Sequence, residues 1–151
     1  MTSDLVIERA GDEAALRDWR QVHNLIIPTA PLSPQEVRER SGRNLLDVAR
    51  LGDVLVGCMT VRPPADDPAT ATVIARVLPE YRGRGFGRAL YEHGLAQARA
   101  LGATVIETVV LESNTQGLRF AVRHGFTETD RYVLPGDTLA FVDLRLEQEH
   151  V

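Results

Sequence analysis

Hydrophobic and polar positions alternate along this chain in two rhythms, one with the period of β-strands and one with that of α-helices. Residues 45–51 and 54–61 carry apolar side chains in the short, β-branched runs that are typical of strands. Gly52-Asp53 lies between these runs and is a two-residue hairpin signal. The pattern therefore predicts an antiparallel hairpin in the first half of the chain.

The same patterns predict seven strands and four helices in the order βααβββαβαββ. The strands are predicted at residues 5–9, 45–51, 54–61, 70–78, 104–111, 126–134 and 138–146. The helices are predicted between residues 11 and 28, 33 and 42, 86 and 101, and 113 and 125. Helices that alternate with strands indicate an α/β (α+β) fold, with a mixed central sheet covered on both faces, in a single domain of residues 1–151.

Helix ends are marked by capping residues. Ser33 and Glu36 form the spacing of a capping box, and Ser113 with Gln116 repeats it before the fourth helix. In the third helix, residues 86, 90, 94, 98 and 101 share one face. Gly94 on that face costs ~1 kcal/mol relative to alanine, so it predicts close packing on the sheet.

A stretch rich in glycine and arginine, residues 77–88, joins the fourth strand to the third helix. Its glycines are Gly83, Gly85 and Gly87, and its arginines are Arg82, Arg84 and Arg88. Alternate glycines allow positive φ, so successive backbone N–H groups can point into one concavity. The N-terminus of the helix that follows adds its positive dipole end. The stretch therefore predicts a pocket for a phosphate or pyrophosphate.

Three known sequence patterns of phosphate-binding loops can be compared with this stretch. A dinucleotide site needs G-x-G-x-x-G, which the glycine spacing does not supply, and a P-loop ends in Gly-Lys-Ser/Thr where this chain has Gly87-Arg88-Ala89. The third pattern is R-x-x-G-x-G, here Arg82, Gly85 and Gly87. A plain tight turn remains the structural alternative.

With that third pattern, residues 77–89 resemble the signature of the GNAT superfamily of acyl-CoA-dependent N-acyltransferases. Asn114, Gly117, Phe120 and Gly125-Phe126 resemble its second motif. The resemblance covers nearly the whole chain and is weakest before residue 43. It implies a mixed, mostly antiparallel sheet, with acetyl-CoA as co-substrate and without a metal. The residues that it implies at the coenzyme are Val77, Leu78, Arg82, Gly83, Arg84, Gly85, Phe86, Gly87, Arg88, Asn114 and Phe120.

The resemblance also implies direct attack of an amine on the thioester, with a backbone N–H at Val77 or Leu78 as the oxyanion donor. Parting of this strand from the next would let the pantetheine arm pair with exposed backbone groups. Two positions depart from the family pattern. A tyrosine acid is expected where this chain has Ala121, and a glutamate base where it has Ala71. General acid or base help contributes roughly 10²–10⁴-fold, so a slower enzyme survives both losses.

Three residues are candidates for the missing proton chemistry. Glu112 follows a central strand, His23 lies on the first helix, and Tyr132 lies on the sixth strand. Each has a structural alternative: a solvated charge for Glu112, a packed or surface histidine for His23, and a packed aromatic for Tyr132. Arg119 and Arg123 fit either the coenzyme's 3′-phosphate or a solvated helix face.

Composition narrows the function classes further. The formal net charge of −4 argues against a nucleic-acid partner, and no run of apolar residues is long enough to span a membrane. The single cysteine, Cys58, excludes an internal disulfide and predicts a core position. His93 and His124 are predicted at the surface, and Trp19 in the core. We predict a cytoplasmic protein.

The sequence thus predicts an N-acetyltransferase that moves an acetyl group from acetyl-CoA to a primary amine on a small molecule or a protein. The alternative is a coenzyme A-binding sensor or interaction module without turnover, motivated by Ala71 and Ala121. A homodimer is compatible with either hypothesis.

Overall fold

A seven-stranded sheet forms the centre of the computed structural model, which describes residues 4–146. The strands are β1 (Leu5–Arg9), β2 (Leu45–Leu51), β3 (Val54–Ala65), β4 (Thr70–Val77), β5 (Val105–Leu111), β6 (Phe126–Val133) and β7 (Ala140–Leu146). Their spatial order is β1-β2-β3-β4-β5-β7-β6. Every neighbouring pair is antiparallel except β4 and β5, which are parallel. The predicted mixed, mostly antiparallel sheet is confirmed.

Four helices cover the two faces of this sheet. They are α1 (Glu13–Ile26), α2 (Pro34–Ser41), α3 (Phe86–Ala100) and α4 (Thr115–Arg123). The apolar side chains of α1 and α2 pack with β2 and β3 in one cluster, and those of α3 and α4 pack in a second cluster on the opposite face. The predicted element order is therefore confirmed.

Some predicted element ends are wrong by a few residues. β3 continues to Ala65, past the predicted end at residue 61, because Ala65 still pairs with Thr70. The two prolines in this extension fall where the β3–β4 register shifts, and such irregular positions tolerate a missing donor. The other strand ends differ by no more than two residues.

The cap of α4 is also different from the prediction. Asn114, not Ser113, is the N-cap, and its side-chain oxygen accepts the Gly117 N–H over 3.0 Å. Gln116 does not complete a box, because its Oε1 accepts from Arg82. The capping box of Ser33 at α2 is formed as predicted.

On the α1 face, Trp19 and Cys58 are buried, which confirms the predicted core positions of both. Trp19 Nε1 donates to the carbonyl oxygen of Met59 over 3.2 Å, which fixes α1 on β3. Burial raises the pKa of the Cys58 thiol to about 12. Cys58 is therefore an uncharged core residue at neutral pH.

On the opposite face, α3 approaches the sheet closely at Gly94. A Cβ atom there would lie 2.5 Å from Met59 Sδ and 2.6 Å from Val73 Cγ1. The predicted close packing is confirmed. Leu101 does not share this face as predicted, since it follows the last residue of α3 and is 49% exposed.

Candidate active site

An opening between β4 and β5 dominates the centre of the sheet. The two strands pair only from Thr70 with Val105 to Thr72 with Glu107, although β4 continues to Val77 and β5 to Leu111. Backbone groups at the ends of both strands therefore face the opening without a partner strand on that side. Parallel strands that part in this way leave room for an extended ligand between them.

The loop before α3 turns its backbone toward one end of this opening. Gly83 and Gly85 have φ of 79° and 85°, in the left-handed region that glycine adopts without strain. Gly85 is the N-cap of α3 and makes no side-chain cap, so the first N–H groups of the helix stay available to a ligand. This arrangement suits an anion.

Gly87 plays a different part from the one predicted. It belongs to the first turn of α3 and does not have a positive φ. A Cβ atom on it would lie 3.5 Å from Phe120 Cε2 and 3.7 Å from Val77 Cγ2. A longer side chain would therefore fill the space between α3 and α4.

The loop, α3 and α4 together enclose a cleft of about 590 Å³. Eight of the eleven residues predicted at the coenzyme line it: Val77, Arg82, Gly83, Gly85, Gly87, Arg88, Asn114 and Phe120. The other three lie elsewhere. Leu78 and Phe86 are buried in the two cores, and Arg84 places its guanidinium 5.7 Å from the Tyr81 ring centre.

The walls of the cleft also include residues that the sequence did not single out, notably Arg76 and Tyr81. Arg119 and Arg123, which the sequence left open, both line it. His124 was predicted at the surface, but its ring centre lies 4.2 Å from that of Phe120 and it lines the cleft too. Burial, with Arg88 and Arg123 nearby, lowers its pKa. Helical spacing along α4 would have indicated this shared face.

The end of β4 is fixed by hydrogen bonds on both sides. The Leu78 N–H donates to the Val56 carbonyl over 2.9 Å, so it is engaged with β3. Neighbouring residues of a strand direct their N–H groups to opposite sides, so the Val77 N–H faces the opening. Of the two proposed oxyanion donors, Val77 is the one whose N–H faces the ligand space.

A smaller cavity of about 60 Å³ lies deeper, between β4, β5 and α4. Ala121 and Tyr91 both line it. The Tyr91 hydroxyl is buried and makes no hydrogen bond within residues 4–146. Burial raises its pKa to about 12, so it keeps its proton at neutral pH. Ala71, by contrast, pairs with Ile106 in the closed part of the sheet and is fully buried.

None of the three predicted catalytic side chains lines either of these cavities, among the residues that the structure describes. Glu112 is 32% exposed and lies 3.9 Å from Arg131. The Tyr132 hydroxyl donates to Asp143 Oδ1 over 3.1 Å on the side of β7.

His23 is buried on α1, where its ring stacks on Trp19 with centres 5.3 Å apart. The side-chain amide of Asn24 is oriented by two hydrogen bonds to the backbone of Leu32, so its Oδ1 accepts from His23 Nδ1. Burial, followed by the positive charge of Arg76, lowers the pKa of His23 to about 4. His23 is therefore neutral at pH 7 and a weak base.

The family model of the acetyltransferase (GNAT) family matches residues 12–126, which include the glycine loop, the opening and α4. The chain belongs to the GNAT acetyltransferase family. A mycothiol acetyltransferase from Geodermatophilus obscurus is 40% identical over 81 residues, or 50% of this chain. The match spans only 26% of that relative's length.

Solved structures of the family share the fold over nearly the whole chain. A GNAT family acetyltransferase from Elizabethkingia anophelis with acetyl-CoA bound has a TM-score of 0.72 at 17% identity, covering 97% of this chain and 99% of its own. The ribosomal-protein-S18-alanine N-acetyltransferase from Escherichia coli has a TM-score of 0.73 at 20% identity, covering 94% and 92%. At these identities, the similarity to both structures establishes the fold of this chain and nothing about its substrate.

Residues 4–146 carry neither a metal-binding cluster nor a membrane-spanning helix. No group of three or more acidic, histidine or cysteine side chains is placed to hold a metal ion. No helix in this part of the chain is long and apolar enough to cross a membrane.

Proposed function

We propose that this protein is an N-acetyltransferase that transfers an acetyl group from acetyl-CoA to a primary amine. The observation that carries the proposal is the opening between β4 and β5, with the glycine loop at one end and the Val77 N–H beside it. The glycine loop suits the pyrophosphate of acetyl-CoA at one end of the cleft. The Val77 N–H suits the thioester carbonyl between the strands.

The residues present fit coenzyme A group by group. The free N–H groups at the start of α3 suit the pyrophosphate, and Arg88, Arg119 and Arg123 line the same cleft with positive charge. The amide groups of the pantetheine arm suit the unpaired backbone of β4 and β5. The apolar ring of Phe120 suits the arm itself.

Acetyl-CoA supplies an activated thioester, and the protein positions it for attack by the amine. The Val77 N–H would donate to the carbonyl oxygen as negative charge develops there. A thiol has a pKa of ~8.5, so the leaving thiolate needs little help near neutral pH. We propose that the Tyr91 hydroxyl, which has no partner in the deeper cavity, donates a hydrogen bond to the sulfur.

The amine's proton finds no carboxylate among the described side chains that line the two cavities, and the one imidazole there, His124, packs against Phe120 and has a lowered pKa. We propose that solvent takes this proton and that orientation supplies most of the acceleration, since positioning contributes up to about 11 kcal/mol. Glu112, His23 and Tyr132 remain predictions as catalytic groups. A carboxylate or imidazole that moved into the cleft on acceptor binding would add roughly 10²–10⁴-fold.

Calorimetry with acetyl-CoA and thiol release with a broad amine panel test the proposal together. Gly85→Glu should raise the Kd for acetyl-CoA about 100-fold, because a carboxylate would oppose the phosphates. Gly136→Glu is the matched control: its φ of 86° matches the backbone of Gly85, and nothing lies within 4 Å of its Cβ position. Equal losses in both variants would place the site elsewhere.

The competing function is a coenzyme A-binding module without turnover. It shares every binding prediction and differs only in thiol release. Saturable binding of acetyl-CoA with no thiol release for any amine would favour it. The cytoplasmic location, the acceptor and the homodimer stay predictions.

A further inference from the structure

Arg76 occupies a special position beside the opening. It lies on β4 beyond the last β4–β5 pair, directly before Val77, and it lines both the cleft and the deeper cavity. Its cross-strand partner on β3 is Cys58, which packs in the α1 core. Successive side chains of a strand alternate between faces. Arg76 therefore belongs to the face of α1, whereas Val77 packs with α3.

No acidic side chain neutralises Arg76 in the described part of the chain. None of the ion pairs and side-chain hydrogen bonds within residues 4–146 includes it. Burial lowers its pKa, Cys58 offsets part of this shift, and the positive charges of Arg62 and Arg40 lower the pKa further. The neighbouring His23 is neutral, so it adds no negative charge. Arg76 is half-buried, and an uncompensated cation with restricted access to water is costly, so an anionic ligand would remove that cost.

The phosphates of the coenzyme are poorly placed to be that ligand. Their site is at the start of α3, on the side of the sheet where Val77 packs. The Arg76 side chain belongs to the opposite side, the one covered by α1, which phosphates at the start of α3 would leave free. The cation therefore lies on the side that remains for an acceptor, within one residue of the Val77 N–H.

We propose that the acceptor is a small primary amine that also carries an anionic group, and that Arg76 binds this group and so directs the amine to the thioester. The inference rests on the proposed function. Arg62 and Arg40 extend the positive charge outward and attract the anion. A carboxylate and a phosphonate share the chemistry that a guanidinium recognises through paired hydrogen bonds.

The test compares matched acceptors and matched variants. Thiol release from acetyl-CoA is measured with small amino acids against their carboxamides, and with 2-aminoethylphosphonate against ethanolamine. The wild type should prefer the anionic member of a pair about 10-fold or more in kcat/KM. Arg76→Gln should reduce this preference to near unity, and Arg62→Gln should reduce it partly, through KM.

Arg145→Gln is the control, because Arg145 is an exposed arginine that is paired with Glu107 over 3.0 Å. It should keep the wild-type preference. Equal rates for the two members of each pair, or equal losses for both in Arg76→Gln, would overturn the inference. Circular dichroism checks that Arg76→Gln is folded, and the exposed Arg62 supplies a second variant if it is not.

Absence of thiol release with every amine would count against the proposed function alone. In that case, sulfate binding to protein saturated with coenzyme A decides the inference by calorimetry. The wild type should bind sulfate about 10-fold more tightly than Arg76→Gln does. The same affinity in both proteins would overturn the anion site.

Discussion

Arg82 fastens the glycine loop to the last residue of β4, with its Nε donating to the carbonyl oxygen of Val77 over 2.9 Å. The same guanidinium donates from Nη1 to Gln116 Oε1 on α4, also over 2.9 Å. Arg82 thus joins strand, loop and helix around the cleft. Because the Val77 carbonyl already accepts this hydrogen bond from Arg82, the N–H of Val77 is the backbone group of that residue that remains for the opening.

Removing this brace should weaken coenzyme binding without abolishing it. We expect Arg82→Gln to raise the Kd for acetyl-CoA about 10-fold, because two charged hydrogen bonds that organise the site are lost. Calorimetry measures the affinity, and hydrogen exchange of the segment 77–88 should become faster. Arg84→Gln is the control, since Arg84 is exposed and its guanidinium lies over the Tyr81 ring, away from the carbonyl of Val77 and from Gln116. A larger effect in Arg84→Gln would assign the main role to direct phosphate contact.

Tyr91→Phe should make the protein more stable but less active. The buried hydroxyl has no hydrogen-bond partner in the described part of the chain, so its removal should raise the free energy of unfolding by about 1 kcal/mol. The lost hydrogen bond to the leaving sulfur should lower kcat about 10-fold. Urea unfolding and thiol-release kinetics measure the two effects. Tyr132→Phe is the comparison, and a greater fall in kcat there would return the role to Tyr132.

His23 should make the protein less stable in mild acid. Its folded pKa of about 4 lies below its ordinary value of 6.5, so the unfolded chain binds the proton more readily. The contribution of neutral His23 to the free energy of unfolding is therefore fully present above pH 6.5. It is lost as the pH drops toward 4, which lowers the free energy of unfolding by up to about 3 kcal/mol. Urea unfolding at pH 5 and pH 7 should show this slope, and His23→Gln should flatten it. An unchanged slope would mean that other groups cause the acid sensitivity.

Gly94→Ala should destabilise the protein although alanine favours helix by ~1 kcal/mol. The new methyl group would overlap Met59 and Val73, and overpacking of this kind costs about 1–3 kcal/mol. Thermal unfolding checks the sign. Gly11→Ala, at a position with nothing within 4 Å of its Cβ, should leave the melting temperature nearly unchanged.

Local patterns were sufficient to predict much of this fold and to single out most of the predicted coenzyme residues that now line one cleft. The hairpin turn at Gly52 and the glycine loop depend on neighbouring residues, so spacing alone indicates them. The cap at Asn114 was missed because Ser113 offers the same chemistry one residue earlier. Sequence cannot choose between adjacent caps when both can accept a hydrogen bond.

The groups that we propose for the reaction, and the properties of His23, were harder to predict because they depend on contacts between distant parts of the chain. Arg76 is one of seventeen basic residues, and only the sheet register opposite Cys58 and the parting of β4 from β5 mark it out. In the sequence Tyr91 has the pattern of a core aromatic, and only the structure shows that its hydroxyl lacks a hydrogen-bond partner within residues 4–146. Helical spacing places His23 on the apolar face of α1 but says nothing about its pKa. Only its burial beside Arg76 shows that it is a weak base.

The short pairing between β4 and β5 has a mechanical consequence. Among the described residues, the strand pairing between the β1–β4 half of the sheet and the β5–β7–β6 half consists of three residue pairs, from Thr70–Val105 to Thr72–Glu107. A ligand that forms hydrogen bonds to the unpaired ends of both β4 and β5 would connect the two halves of the sheet across this seam, the short pairing between β4 and β5. The two halves would then unfold together at a higher temperature when the ligand is present, and the seam would be the first place to open when it leaves.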